Sequence, residues 1–165
     1  MCIIHGYGAC AKKECIIHGM ENPLHEALLD LVGVFNRPQP DHMLLQRANV
    51  TLDRALFPLL VRIGMRGPIG VVELAELVGR DHSTVSRQVA KLEELDLVVR
   101  SPSKLDQRVK EAVVTKAGGR MVEQIGAARN KIFEEVLADW SAKDRAELTR
   151  LVRKLADAAI GFTSR

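Results

Sequence analysis

Residues 71–95 read Val71-Val-Glu-Leu-Ala-Glu-Leu-Val-Gly-Arg-Asp-His-Ser-Thr-Val-Ser-Arg-Gln-Val-Ala-Lys-Leu-Glu-Glu-Leu95, and the reading of this stretch decides the fold. Its first part is apolar at Val72, Leu74, Ala75, Leu77 and Val78, after which Gly79 supplies the residue best suited to close a helix. Asp81 then offers a side-chain oxygen to the first amides of a second helix. In that helix Val85, Val89, Leu92 and Leu95 recur at spacings of 4, 3 and 3, a narrow apolar stripe. Ser83, Thr84, Ser86, Arg87, Gln88 and Lys91 occupy the rest of its surface. Two short helices joined by a glycine-containing turn, the second polar at its N-terminal end, predict a helix-turn-helix.

Working outward, residues 97–100 and 109–115 are rich in valine, and the basic segment 101–108 between them is turn-forming, which predicts a hairpin with a long tip. The whole chain carries a formal charge of only +3. Within residues 97–120, however, Arg100, Lys104, Arg108, Lys110, Lys116 and Arg120 face only Asp106 and Glu111, so the positive excess is concentrated there. Such an island is either the electrostatic footprint of a polyanion site or a solvated loop. Two long helical patterns follow. One carries Met121, Ile125, Ala128, Ile132 and Val136; the other is capped by Ser141 with Asp144 and carries Leu148, Leu151, Val152, Leu155 and Ala159. Upstream, Leu24, Ala27, Leu28, Leu31, Val32 and Phe35 form an amphipathic stripe that Pro38 and Pro40 stop. A further helix is predicted from Thr51 as N-cap through Leu52, Ala55, Leu56, Leu59, Leu60 and Ile63, kinked at Pro58, before a turn cluster at Gly64, Gly67, Pro68 and Gly70.

A surface that reads DNA needs cations for phosphates and short or forked polar side chains for base edges. Ser83, Thr84 and Ser86 donate without bulk, Arg87 is suited to guanine, and Gln88 to adenine. Arg108 and Lys104 on the hairpin are placed to reach a flanking minor groove, and Lys91, Arg100 and Lys110 complete the candidate DNA-contacting set.

With these residues in place the chain resembles the MarR family of winged helix-turn-helix transcriptional regulators, over roughly residues 24–160. The resemblance is carried by Val72-Glu-Leu-Ala-Glu-Leu-Val-Gly79, Asp81-His-Ser-Thr-Val-Ser-Arg87, Leu92-Glu-Glu-Leu-Asp-Leu-Val98, Asp106-Gln-Arg108 and Val114-Thr-Lys-Ala-Gly118. It implies a mainly α fold with a small β-hairpin wing, the winged helix-turn-helix at 51–115 flanked by dimerisation helices at 20–50 and 116–165. It implies a homodimer on a palindromic operator of double-stranded DNA, acting as a repressor released by a small-molecule effector, often an aromatic acid. In that scheme 82–91 is the recognition helix, Arg108 the wing-tip arginine and Asp106 the residue that braces the wing. The chain departs from the family at Asp96, where glycine is common and a left-handed backbone is expected.

The residue pattern agrees with a dimer, because the terminal helices carry apolar stripes that a small helix-turn-helix body cannot cover. With 47% hydrophobic but only 4% aromatic residues, an aliphatic helical core is expected and an all-β fold is not. No apolar run is long enough to cross a membrane and no signal peptide is visible, so the expected location is the cytoplasm. No cofactor is expected. Enzyme motifs are missing: Gly6-Tyr-Gly8-Ala-Cys-Ala11 spells a dinucleotide fingerprint without the strand and acidic residue it needs.

Residues 1–19 repeat Cys2-Ile-Ile-His-Gly6 as Cys15-Ile-Ile-His-Gly19 and read as an optional arm, or as sequence preceding a start at Met20. Their Cys2, Cys10, Cys15 and His18 leave open a redox- or metal-sensing regulator, although the spacing matches no defined zinc pattern. A thiol oxidoreductase using Cys10 and Cys15 is more remote, because the gap is not Cys-x-x-Cys.

Overall fold

The computed structural model describes residues 22–103 and 107–163. Asn22 opens the first helix, α1 (Pro23–Phe35), its Oδ1 accepting from the amides of Leu24 at 3.1 Å and His25 at 3.4 Å, with Pro23 in the first turn where no amide is needed. The apolar stripe read from the sequence is present, but none of it is buried: Leu24 is 56% exposed and Phe35 54%. The chain divides after Arg37 into two compact units, α1 lying in the first.

The second unit begins with α2 (Pro38–Arg47). Here the sequence reading needs correction. Pro38 and Pro40 follow α1, yet they also start another helix, since a proline in a first turn sacrifices no intrahelical hydrogen bond. The same physics corrects the next segment. Thr51 does not cap a helix; Asp53 organises a turn, accepting at Oδ1 from Ala55 N and at its carbonyl from Leu56 N. The helix α3 (Phe57–Arg66) starts later, so Pro58 sits in its first turn and produces no kink.

After α3, a two-residue strand β1 (Ile69–Gly70) lies where the sequence showed only turn residues. The helix-turn-helix follows as α4 (Val71–Val78) and α5 (His82–Glu94). The wing is the hairpin of β2 (Val98–Pro102) and β3 (Lys110–Val114), paired from Val98 opposite Val114 to Pro102 opposite Lys110. β1 adds to the other edge of β3, Ile69 opposite Ala112, giving an antiparallel sheet in the order β1-β3-β2. Two long helices end the chain, α6 (Lys116–Val136) and α7 (Ala142–Thr163). Ser141 and Asp144 form the expected capping box on α7, Ser141 Oγ accepting from Asp144 N at 3.1 Å and donating to its carboxylate at 2.6 Å.

Two apolar clusters hold this unit together. The larger joins Leu59, Leu60 and Ile63 of α3 to Leu74, Val85, Val89, Leu92, Ile69 and Ala112, so α5 and the sheet share one core. The smaller packs Leu44 and Leu45 of α2 and Val61 of α3 against Ile125 and Ala128 of α6. Each fully buried aliphatic side chain here contributes about 1.5–3 kcal/mol. By contrast, among the described residues α7 buries no side chain; Val152 is 54% and Ile160 58% exposed.

Three helix ends share one device. At Asn49, Gly79 and Asp96 the backbone turns left-handed, with φ of 52°, 62° and 54°. In each case the next amide reaches back to the helix: Val50 to Leu45 O, Arg80 to Ala75 O and Leu97 to Leu92 O, all at 3.0 Å. These are Schellman closures, and only one uses glycine. The expected left-handed Asp96 is therefore observed.

Candidate nucleic-acid interface

Asp81 fixes where α5 begins. Its carboxylate accepts from the amide of Ser83 at 3.1 and 3.2 Å and from the Ser83 hydroxyl at 2.9 Å. The Ser83 hydroxyl bond, helped by the Ser83 amide, holds the Asp81 carboxyl below its ordinary pKa. From this start, Val85, Val89 and Leu92 face the core with no exposure. The helical period then turns Ser83, Arg87 and Lys91 outward as exposed residues, with Thr84, Ser86 and Gln88 half-buried on the flanks. Arg87 Nη2 lies 3.5 Å from Thr84 Oγ1, one turn earlier on the same side. The donors thus gather on the N-terminal half of α5, while its C-terminal end carries Glu93 and Glu94.

Arg100 faces the other way. Its guanidinium Nε lies 2.9 Å from Glu93 Oε2, its Nη2 donates to Ser86 O at 3.2 Å, and its backbone amide donates to Glu93 Oε1 at 3.1 Å. These contacts join β2 to α5, and Arg100 is half-buried between them. On the wing, Arg108 and Lys110 are exposed. The wing residues Lys104 and Asp106, and the arm residues Cys2, Cys10, Cys15 and His18, lie outside the described residues.

The base of the wing is a second joint that the motif spelled without explaining. Thr115 Oγ1 donates to Asp96 O at 2.7 Å and accepts from Gly118 N at 3.0 Å, and the Thr115 amide donates to Leu97 O at 3.0 Å. One threonine therefore caps α6 and ties it to the end of α5. Gly118 is required by the closeness of that junction, because a Cβ there would overlap the carbonyl oxygen of Leu97.

Sequence reasoning also missed Arg80, which sits in the turn between α4 and α5. Its Nη1 donates to Ala55 O at 3.1 Å and to Gln88 Oε1 at 3.4 Å. A basic residue directly before an N-cap was the only signal available.

Elsewhere in this unit, α2, α3 and α6 bring charges together. Asp41 accepts from Arg54 Nε at 2.6 Å. Burial, then repulsion from Arg62, lowers the pKa of Arg129, while Asp41 partly offsets both. Arg47 of α2 pairs with Glu135 of α6 at 2.5 Å on the rim of an open groove of about 370 Å³. Among the described residues no group of three His, Cys, Asp or Glu side chains is placed to hold a metal, and no helix is long and apolar enough to cross a membrane.

Comparison with known proteins agrees with this architecture. The MarR family model matches residues 52–110, which run from before α3 to the start of β3. The chain is 33% identical over 109 residues to YxaD, an uncharacterized HTH-type transcriptional regulator of Bacillus subtilis (strain 168), covering 66% of this chain and 76% of that protein. It is 26% identical over 131 residues to the HTH-type transcriptional repressor MdtR of the same organism, covering 79% and 84%. In fold it is similar to a solved MarR family protein from Bacillus stearothermophilus, with a TM-score of 0.70, 23% identity, and coverage of 84% of this chain and 94% of that one.

Proposed function

This chain belongs to the MarR family of transcriptional regulators, and on that premise we propose that it is a homodimeric repressor that reads a two-fold symmetric operator and leaves it when an organic anion binds. It acts by binding, without catalysis, and works in the cytoplasm where the operator is. The observation that carries the reading is the division of α5: hydroxyl and guanidinium donors on the outward N-terminal half, acids at the C-terminal end, one of them held by Arg100. A helix so arranged enters a major groove by its N-terminal half, with the wing beside it.

The uncovered apolar faces of α1 and of α7 support association with a second copy, which removes both from water. The repressor name of MdtR supports the direction of control. For the effector, Arg62 of α3 and Arg129 of α6 lie close enough for their charges to repel, with Asp41 opposing, and a pair of neighbouring guanidinium groups suits a carboxylate ligand.

Titrating a labelled duplex from upstream of its own coding sequence, with the mass of the complex followed by sedimentation, tests this. Two chains per duplex and affinity falling steeply with salt are expected, with aromatic carboxylates reversing binding. One chain per duplex, or no binding at low salt, contradicts the reading.

A further inference from the structure

We infer that Arg145 pins the elbow between α6 and α7, and that the angle it holds selects the spacing of operator half-sites. The second step rests on the dimeric, operator-binding reading above. α6 ends without the usual devices. Its last turn carries Glu134 and Glu135 and no basic residue, the unfavourable charge for the negative end of a helix. Left-handed closures follow α2, α4 and α5, whereas the cap residue of α6, Leu137, has a φ of −101°. The carbonyls beyond that last turn go instead to one side chain. Arg145 Nη2 donates to Leu137 O at 2.6 Å and to Ala138 O at 3.3 Å, and its Nε donates to Trp140 O at 3.2 Å.

A guanidinium suits this task, because Nε and Nη2 donate from one planar edge and bring the positive charge that the helix end lacks. Arg145 is itself anchored. Its amide donates to Ser141 O at 3.0 Å, in the turn that the Ser141 and Asp144 capping box starts. Arg145 and Leu148 are half-buried, in an α7 that, among the described residues, adds nothing to either apolar cluster. Within one chain, therefore, the direction of α7 depends on the elbow and not on core packing. Toward the other end of α6, Ile125 and Ala128 seat the helix in the smaller cluster, and Thr115 ties its start to the end of α5. The elbow thus stands between α5 and the apolar face of α7 that a second copy would cover. α6 has 21 residues and runs for about 30 Å, so a tilt of about 10° at the elbow moves its far end by about 5 Å, more than the roughly 3.4 Å rise of one base pair. Arg145 is a positioning residue, acting on DNA through helix geometry without touching it.

The operator is first obtained by selection from random-sequence DNA, and wild type and Arg145 variants are titrated on duplexes whose half-sites are moved apart or together by one base pair. Wild type should lose about tenfold or more in affinity on either change, and Arg145→Ala about threefold or less, while binding to a single half-site stays equal. Arg145→Lys, which returns a donor and a charge to the helix end, should recover part of the discrimination. Should Arg145→Ala fold poorly, Arg145→Met keeps the stem without the donors and should give the same result. Small-angle X-ray scattering of the free protein reads the elbow without DNA, and the Ala or Met variant should broaden its distribution of interatomic distances. Variants that discriminate spacing as wild type does, that lose single half-site binding as well, or whose scattering is unchanged would each overturn the inference, as would an Arg145→Lys that recovers nothing. A wild type indifferent to spacing, with scattering altered by the variants, overturns instead the operator reading and keeps the elbow.

Discussion

Asp81 shows how much one side chain decides. It starts α5, and the phase of α5 determines that Arg87 faces outward while Val85 and Val89 face inward. Its carboxyl titrates below the ordinary value because the Ser83 hydroxyl and amide bind the charged form. The folded pKa is depressed, so the stabilisation is complete above the unfolded pKa and is lost as pH falls through the folded value. Thermal melting should therefore show an acid-side loss, below about pH 4, that Asp81→Asn reduces while the helix stays capped. Arg87 belongs to the same scale. Arg87→Ala should weaken operator binding by about 1–3 kcal/mol and relax choice at the contacted base pair, as read by competition with varied duplexes. Caps and outward donors were legible in the sequence because each acts within a turn of helix. Arg80 was not, since its partners Ala55 and Gln88 lie 25 and 8 residues away and only folding brings them together.

Between elements, the joints matter more than the elements. The Arg100 ion pair ties β2 to α5, and the Thr115 hydrogen bonds tie the end of α5 to the start of α6. Gly118 lets α6 approach Leu97, and Gly118→Ala should cost about 1–3 kcal/mol of stability, measured by the midpoint of denaturant unfolding, with the damage centred at the wing base. Helices α4 to α7 and the hairpin were readable from periodicity and caps. The prolines were misread because proline both ends one helix and begins another, and only tertiary packing of Leu44 and Leu45 shows that 38–47 is helical. β1 has two residues, too few for any period, and exists because β3 offers it a free edge. Arg100 counted as a basic residue in the sequence, whereas its ion pair with Glu93 places it in the joint.

At the scale of the whole molecule, the decisive fact is what one chain leaves uncovered. The second unit buries a continuous core from α3 through the sheet, yet among the described residues α7 contributes no buried one and α1, in the first unit, none either. Exposed apolar faces on amphipathic helices are what the proposed dimer would cover, and a second copy related by two-fold symmetry would set one spacing between the two α5 helices. That spacing is the central claim in measurable form. Selection of bound duplexes from random-sequence DNA should return a two-fold symmetric motif whose half-sites lie about one helical turn, roughly 10 base pairs, apart. An enriched motif without symmetry, or no enrichment over the starting pool, would contradict it.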